Sequence, residues 1–566
     1  MNNQQRHIDL AWLVGDWQTL ANTEMSDLVD IPNTQEYALK IAVAHYQLGN
    51  PKKALSCVQW AQGHGVSEIV LTKYLISSVY QTLAQAKLSA GQPRSAAALL
   101  DQAAQVLDVD NAEEPDWLSR IRLKQCERMV SPHSQSKSIE VTTKSVLELG
   151  QAWAGNTINT VIFRHQGIFS HQGHQYTAFY VDNQTLRLVK RNLDTNELEH
   201  YDLHSDYNTK DAHNTISLGI DRDGHLHMTY DHHGNRLNYR RSLEPFNIQA
   251  WSDSLPMTGV NEERVTYPAF ILPTKYTSLL MLYRDGNWKQ GTAYLKYYDE
   301  ALARWFDYPN SILSGAEQKP WTSNAYWNHP AMDKNGVLHL SYTWRTGYFS
   351  DEQLINNVNI GYAKSYDGGF SWYTSQHKPY RLPITPTNTE VAQPIPPGSN
   401  NMNQTSMALD SKGHPHIVFY ANDSNSIPQY QHLWFDGSTW QTKQVSQRTA
   451  PFALVGGGTL EVPISRPEIV IDDNDTVFVI YRSEETQQKL VASYQTAPDY
   501  VCQPNNTIVL WDEQIGQAEP MIDRIRWQQD KTLTLLVQYN DQPDGDVKHE
   551  AMDQLIFLVD IEFTNI

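Results

Sequence analysis

One short motif, repeated along the second half of the chain, limits what this protein can fold into. It places an Asp/Gly turn between two apolar segments, which predicts two antiparallel strands joined by a tight turn. The copies are Ile220–His227, Met332–His339, Leu409–His416 and, more weakly, Ile471–Phe478. Related strand pairs without the motif are predicted near 176–191, 270–284 and 524–539. Together these units predict a seven-bladed β-propeller over residues 145–566.

Residues 1–130 have a different character, because apolar residues recur there at three- and four-residue spacing, which predicts helices. Leu48–Ala54 returns as Ala90–Ala96, and in both copies a Gly closes one helix and a Pro opens the next. The pattern resembles a degenerate tetratricopeptide-like array of helical hairpins. A packing or docking domain is the simpler interpretation, and a protein partner on its concave face is the alternative. Residues 131–144 are polar, Ser-rich and aperiodic, which predicts a linker.

Composition excludes several classes of protein. A net charge of −19 argues against a general nucleic-acid binder, so a site for an anionic polymer would need a local cluster of Arg, Lys and His. No apolar stretch has the length of a membrane span or a signal peptide, which predicts a cytoplasmic protein. The three cysteines lie far apart and predict neither a disulfide framework nor a metal site. Sixteen Trp and 30 Tyr suit a β-rich protein that stacks on sugars.

Histidines cluster between Asp211 and Ser242, where the motif predicts an antiparallel meander of three strands, the third at Arg236–Ser242. His225 and His227 fall on a strand face, where packing or hydrogen bonding is the usual role. His213 precedes the first strand and His233 lies in a later turn. Both are therefore expected at the same end of the sheet, and functional sites collect on such loops.

A separate segment, Ser365–Trp372 (SYDGGFSW), fits the Asp-box of sialidase-like propellers. The Asp and the Gly pair are expected to form a hairpin turn, with the Trp packed beneath it. This box marks the fold rather than a functional site.

From about Val146 onward, the chain resembles the BNR-repeat family that includes ulvan lyases and related polysaccharide lyases. The likeness rests on motifs in one order, DAHN, DGHLH, YDHHGN, VTYP, LYR, the Asp-box, NQ and SRP, which begin at residues 211, 223, 230, 265, 282, 365, 403 and 465. The resemblance implies two histidines, a tyrosine and an arginine in a canyon on one propeller face. Matched by motif, these are His213, His233, Tyr267 and Arg284, with Tyr326 as a further tyrosine on the substrate side. The chain departs from the family at Asp285–Trp288, where relatives often carry a Gly/Ser-rich turn.

The implied activity is β-elimination on a uronate-containing polysaccharide or oligosaccharide, sulfated or unsulfated. Arg284 would neutralise the uronate carboxylate through paired hydrogen bonds, and a neutral imidazole is a competent base near neutral pH. We therefore assign His213 as base, Tyr267 as acid and His233 as support, although base and acid could be exchanged or Tyr267 could do both. The remaining substrate-binding candidates are Asn214, Arg345, Asn403, Gln404 and Arg466. No cofactor is required, and a structural calcium among the Asp and Asn side chains is left open.

Two alternatives remain at this point. A sialidase-like glycoside hydrolase could use Arg284, Arg345 and Arg466 as an arginine triad, but no matching Glu/Tyr pair is evident. Hydrolysis by two facing carboxylates would draw on Asp211, Asp231 or Asp285. A non-catalytic propeller that binds a glycan or a protein is the second alternative.

Overall fold

The computed structural model describes residues 3–23, 28, 32–89, 92–107, 139–287, 290–315, 323–346, 355–502, 506–545 and 552–564. The chain divides into two compact units, Met1–Lys137 and Ser138–Ile566. Among the described residues, no helix has both the length and the apolar character needed to cross a membrane. Trp288 of the departing turn and Cys126 lie outside the described residues.

The first unit is helical, as predicted. Its described helices are α1 Asn3–Val14, α2 Trp17–Ala21, α3 Thr34–Gln47, α4 Pro51–Gly63, α5 Glu68–Ser89 and α6 Pro93–Gln105. The first copy of the Gly-x-Pro repeat ends α3 and begins α4, since Gly49 takes a φ of 75° and Pro51 is the first helical residue. In the second copy, Pro93 begins α6 in the same way.

The second unit is a seven-bladed β-propeller, which confirms the predicted fold class. Blades 1 and 2 contain β2 Ile168–His171, β3 His174–Tyr180, β4 Thr185–Asn192 and β5 Leu198–His204, and then β6 Ser217–Ile220, β7 Leu226–Thr229 and β9 Tyr239–Arg241. Blade 3 contains β8 His233–Asn235, β10 Val265–Ile271, β11 Leu280–Gly286, β12 Gly291–Asp299, β13 Arg304–Asp307 and β14 Leu313–Ser314. Neighbouring blades share apolar cores. One such core joins Phe169 and Tyr176 of blade 1 to Leu218 and Met228 of blade 2.

The later blades complete the ring. Blade 4 contains β15 Ser323–Trp327, β16 Ala331–Met332, β17 Leu338–Thr346, β18 Asn357–Ser365 and β19 Glu390–Gln393. Blades 5 and 6 contain β20 Ser406–Leu409, β21 Pro415–Asn422, β22 Pro428–Phe435 and β23 Trp440–Gln444, and then β24 Glu468–Ile471, β25 Val477–Arg482, β26 Lys489–Gln495 and β27 Thr507–Gln514. Blade 7 contains α7 Arg524–Asp530, β28 Leu533–Gln538, β29 Asp553–Thr564 and β1 Glu140–Trp153.

Three boundaries differ from the sequence predictions. β1 begins at Glu140, inside the predicted linker 131–144, because it pairs along its length with β29 and so joins the two ends of the propeller. The predicted strand at Arg524 is instead the helix α7, since the Asp523 side chain caps its N-terminus by accepting from Arg526 N. The third strand of the His-rich meander is shorter than the predicted Arg236–Ser242, since only β9 pairs with β7, and the predicted turn around His233 contains β8, which pairs with β10 of the next blade.

The three clear copies of the repeated motif perform the same structural task in blades 2, 4 and 5. Its Asp caps the turn, as when Asp221 Oδ1 accepts from His225 N at 2.8 Å. The His at the end of the motif then reaches a polar group on a neighbouring strand. His227 Nδ1 lies 2.7 Å from the Tyr239 hydroxyl, and His339 Nδ1 lies 2.6 Å from the Tyr362 hydroxyl. His227 is fully buried, so it packs and bonds within the blade.

The Asp-box turn is held by its own side chains. Asp367 Oδ1 accepts from Ser371 N at 2.9 Å, and the buried Trp372 donates from Nε1 to Gly369 O at 3.0 Å. Gly368 and Gly369 adopt φ angles of 69° and 109°, which a side chain would strain. These contacts brace a turn after β18.

Buried histidines predict that the propeller loses stability in mild acid. Burial lowers the pKa of His227, His232 and His339 to about 4 from an ordinary value of 6.5. The unfolded chain therefore binds more protons between those values, so stability is full above about pH 6.5 and falls as the pH drops, by up to about 3 kcal/mol for each histidine. Urea unfolding of the full chain at several pH values, followed by Trp fluorescence, measures this loss.

The variant His339→Phe provides the control, because Phe478 occupies the same position in the fourth copy of the motif. This variant should lose less stability than the wild type between about pH 7 and pH 5. An unfolding midpoint that stays constant over that interval would contradict the prediction.

Candidate active site

Five blades bring the predicted site residues to one face of the propeller. The first strand of each blade begins at this face and the second strand ends there, so side chains at those positions converge. His213 and Asn214 precede β6, Tyr267 lies in β10, Tyr326 in β15, Asn403 and Gln404 precede β20, and Arg466 precedes β24, while Arg284 and Arg345 lie near the ends of β11 and β17. β8 adds His233, which pairs with Thr266 of β10.

Two histidines share one carboxylate. Asp211 Oδ1 accepts from His213 Nδ1 at 2.7 Å, and Asp211 Oδ2 accepts from His233 Nδ1 at 2.5 Å. The two imidazole rings are stacked, with centroids 4.1 Å apart and planes 15° from parallel. Burial by itself would raise the pKa of Asp211, but the hydrogen bonds from both histidines hold it well below its usual value. Asp211 is therefore ionised, and a carboxylate can only accept, so each Nδ1 carries a proton.

A tyrosine in a strained conformation adjoins this pair. Tyr267 has a φ of 54°, and it lies where the register between β10 and β11 shifts. Its ring meets the edge of Phe163 at 5.2 Å, and Phe163 stacks on His213 at 5.3 Å. Burial raises the pKa of Tyr267 well above its ordinary value, so its hydroxyl keeps its proton at neutral pH.

Two guanidinium groups flank a second tyrosine. Arg284 lies 5.0 Å from the Tyr267 ring centre and donates from Nη1 to the Tyr326 hydroxyl at 3.4 Å. Arg345 lies 4.7 Å over the Tyr326 ring and is held by the amide oxygens of Asn357 and Asn403. Within the described part of the chain, neither guanidinium forms an ion pair with a carboxylate. Burial would raise the pKa of Tyr326, but Arg345 and Arg284 outweigh it, so its pKa lies below the ordinary value.

Arg466 has a different environment. Its guanidinium forms a buried ion pair with Glu519 at 2.6 Å and lies 5.0 Å over the Phe163 ring. Glu519 also accepts from Ile162 N at 2.8 Å. Because its charge is already matched, Arg466 suits the support of Phe163 better than the capture of an anion.

The polar candidates also differ in whether their side chains already bond within the protein. Asn214 donates from Nδ2 to Asn208 O at 2.8 Å, and Asn403 holds Arg345, so both amides are engaged by the protein. Gln404 is 1% exposed and takes a φ of 60°. Its amide oxygen and nitrogen find no hydrogen-bond partner among the described residues. A buried amide without partners is costly, which makes Gln404 the candidate best suited to a ligand.

Each of the three aspartates considered for a hydrolase already contacts another group of the protein. Asp211 bridges two histidines, Asp285 lies 3.3 Å from Arg264, and Asp231 Oδ1 accepts from Asn208 N at 3.1 Å. An arginine triad is also incomplete, since Arg466 is paired with Glu519. This geometry favours proton transfer by imidazole and phenol over a pair of catalytic carboxylates.

Three contributors were not predicted from the sequence. Phe163 lies in the segment between β1 and β2, and Glu519 lies in the segment between β27 and α7. Neither carries a recognisable motif, so no local signal could have identified them. The third is Gly291, where an added Cβ would lie 2.6 Å from Arg284 Cδ and still closer to Asn324 Oδ1. Its position opposite Gly286 on the β11–β12 ladder was the available signal.

Comparisons with known proteins agree with this fold. Residues 174–448 match the model of the BNR repeat-containing family, which confirms the predicted resemblance. The long isoform of ulvan lyase from Glaciecola sp. (strain KUL10) is 23% identical over 274 residues, 39% of this chain and 27% of that protein. This chain therefore spans less than a third of that relative's length.

Two solved structures share the fold at low identity. The polysaccharide lyase Uly1 aligns with a TM-score of 0.54 and 13% identity, covering 74% of this chain and 99% of that one. A PL25 ulvan lyase bound to GlcA(1-4)Rha3S aligns with a TM-score of 0.51 and 15% identity, covering 67% of this chain and 93% of that one. At these identities, the likeness establishes the propeller architecture.

Proposed function

We propose that this chain, whose residues 174–448 match the BNR repeat-containing family, is a polysaccharide lyase that cleaves a uronate-containing polysaccharide or oligosaccharide by β-elimination. The observation that carries the proposal is the convergence of an imidazole pair, a protonated buried tyrosine and two arginines without acidic partners. The comparisons support it, because the curated relative is an ulvan lyase and one similar structure holds a ligand that contains a uronate.

The proposed reaction removes a proton from C5 and delivers a proton to O4 while the C4–O4 bond breaks. Arg284 pairs with the C6 carboxylate and stabilises the negative charge that develops when the C5 proton leaves. His213 accepts that proton through Nε2, because its Nδ1 is bonded to Asp211. The C5–H electrons form the C4–C5 double bond, and the C4–O4 bond breaks. Tyr267 then protonates O4, which suits a phenol whose burial keeps it protonated.

The remaining residues bind or support in this proposal. His233 supports His213 through their shared carboxylate, and Tyr326, Arg345 and Gln404 contact sugar groups beside the scissile bond. Exchange of base and acid between His213 and Tyr267, or the use of Tyr267 for both steps, is the alternative. No cofactor enters these steps. Structural calcium, a protein partner for the helical unit and a cytoplasmic location stay predictions.

The decisive experiment follows the ultraviolet absorbance of the unsaturated uronate product over a panel of uronate polymers. The panel includes ulvan, glucuronan, alginate, pectate, glycosaminoglycans and bacterial capsules. Wild type is compared with His213→Ala and with the matched control His225→Ala. His225 lies in the same His-rich segment, but its Nδ1 bonds to Ser242 O at 3.0 Å, at the far end of the blade.

An absorbance rise that is lost in His213→Ala and kept in His225→Ala would establish the lyase and name its substrate. New reducing ends without absorbance would replace it by a glycoside hydrolase. Glycan binding without turnover, unaffected by His213→Ala, would replace it by a binding propeller.

A substitution next to the site tests whether the placement of Arg284 matters. We expect Gly291→Ala to lower kcat/KM by about 10- to 100-fold, because the new Cβ displaces Arg284 and a small misplacement of a binding group is costly. The control is Gly457→Ala, since a Cβ at Gly457 meets no atom within 4 Å. Steady-state kinetics and thermal melting of both variants separate misplacement from unfolding. Wild-type kcat/KM in Gly291→Ala would contradict the prediction.

A further inference from the structure

We propose that Asp211 is the positioning residue of this site: it sets the tautomer of both histidines and allows the pair to hold one additional proton. This inference rests on the proposed function and deepens it. The carboxylate has one acceptor oxygen for each imidazole, at 2.7 Å from His213 Nδ1 and 2.5 Å from His233 Nδ1. With both Nδ1 atoms protonated, Nε2 of each ring is the basic nitrogen.

The backbone around Asp211 keeps the carboxylate in place. His213 N donates to Asp211 Oδ1 at 2.9 Å, and Asn214 N donates to Asp211 O at 3.1 Å, which closes a turn just before β6. On the other side, His233 N donates to Asn235 Oδ1 at 2.8 Å. The His213 ring is held between the rings of Phe163 and His233. The orientation of His213 is therefore set by stacking on both faces and by the carboxylate at its edge.

The single negative charge of Asp211 limits how many protons His213 and His233 can hold together. Asp211 carries one negative charge, which one imidazolium balances. A second imidazolium, stacked at 4.1 Å on the first, would be repelled by it. In the reaction, the proton taken from C5 converts His213 to imidazolium while Nδ1–H stays bonded to Asp211. The proton then returns through water to the Tyr267 phenolate, which restores both groups before the next turnover.

The same three residues also have the composition of a cation site, since one ligand atom from each lies within 4.8 Å of the others. The ring geometry disfavours that use. The lone pair of an imidazole nitrogen lies in the ring plane, and two rings stacked 15° from parallel at 4.1 Å cannot both place a single ion in their planes. The stacked rings can instead each donate one hydrogen bond to a separate oxygen of the Asp211 carboxylate.

Blade 2 contains a second Asp–His pair that serves as an internal comparison. His227 Nε2 lies 3.2 Å from Asp221 Oδ2, but both side chains are completely buried and His227 Nδ1 bonds to Tyr239. The same two residue types thus form an architectural pair at the far end of the blade. Asp221→Asn is therefore the matched control for Asp211→Asn.

The test measures kcat, KM, the pH profile and thermal melting for wild type, Asp211→Asn and Asp221→Asn on the polymer that the panel identifies. The carbonyl oxygen of an Asn can accept a hydrogen bond from one Nδ1–H. Its NH2 group can only donate to the other Nδ1, so that ring must change tautomer. We expect kcat of Asp211→Asn to fall by about 100-fold or more with little change in KM. The acid limb of its pH profile should move to lower pH, because the imidazolium loses its carboxylate. Asp221→Asn should melt at a lower temperature with an unchanged pH profile.

Selective ¹⁵N-histidine spectra of the substrate-free protein, assigned with His213→Gln and His233→Gln, test the tautomers independently of activity. Protons on both Nδ1 atoms would support the inference, and a proton on Nε2 of either neutral ring would overturn it. An unchanged pH profile and kcat in Asp211→Asn would overturn it as well. If the wild type forms no unsaturated product, the proposed lyase fails, and the tautomer spectra still decide the role of Asp211.

Discussion

Replacement of Arg284 by glutamine is expected to lower kcat/KM on the uronate polymer by about 1000-fold or more, since in the proposed elimination this buried charge stabilises developing carbanion character. Arg284 is 3% exposed, lies between the rings of Tyr267 and Tyr326, and has no carboxylate partner among the described residues. In the proposed reaction, the substrate carboxylate supplies the missing partner of this charge. Steady-state kinetics by ultraviolet absorbance measure the loss.

Two further variants complete this test. Arg284→Lys keeps the charge but loses the paired geometry, so its activity should fall between those of wild type and Arg284→Gln. Arg264→Gln is the matched control, because Arg264 lies in the same blade, is largely exposed and pairs with Asp285. Near-wild-type kcat/KM in Arg284→Gln, or an equal loss in Arg264→Gln, would remove Arg284 from the mechanism.

The second large effect concerns stability. We expect Glu519→Ala to lower the free energy of unfolding by about 3–5 kcal/mol, because it leaves the buried Arg466 guanidinium without its partner. Both side chains are 5% exposed, and Glu519 also satisfies Ile162 N and Arg466 N. The loss should extend to activity, since Arg466 supports Phe163 and Phe163 stacks on His213.

Urea unfolding and kinetics of the same preparations measure both effects. The control is Asp512→Asn, which removes an ion pair with Lys489 in which Asp512 is 85% exposed. Its stability should change by less than about 1 kcal/mol. Equal unfolding midpoints for Glu519→Ala and wild type would show that the buried pair contributes no net stability.

The motif explains why so much of the fold was predictable. An Asp that caps a turn and a Gly that permits a positive φ act within a few residues, so each copy identifies a strand pair locally. The errors lie where distant pairing decides the structure. Glu140 was predicted to lie in a linker because its strand-pairing partner, Thr564, is at the other end of the chain.

In the site too, the identities of residues were predictable, but the contacts between distant residues were not. The family resemblance, matched by motif, implied His213, His233, Tyr267 and Arg284, and the structure brings all four together. The sequence could not show, however, which arginines have a carboxylate partner. Arg345 and Arg466 look equivalent by position, but only Arg466 faces a buried carboxylate, from a segment far along the chain.

The sequence by itself therefore determined the helical first unit and the strand pairs of six blades, because capping, turn formation and periodicity act over short distances. The family resemblance, carried by short motifs, supplied the residues of the site. Tertiary structure alone decided ring closure by β1 and β29, the sharing of Asp211 by two histidines and the pairing of Arg466 with Glu519. The physical reason is that hydrogen bonding, stacking and charge compensation depend on distances between side chains, and those distances exist only after the blades have closed into a ring.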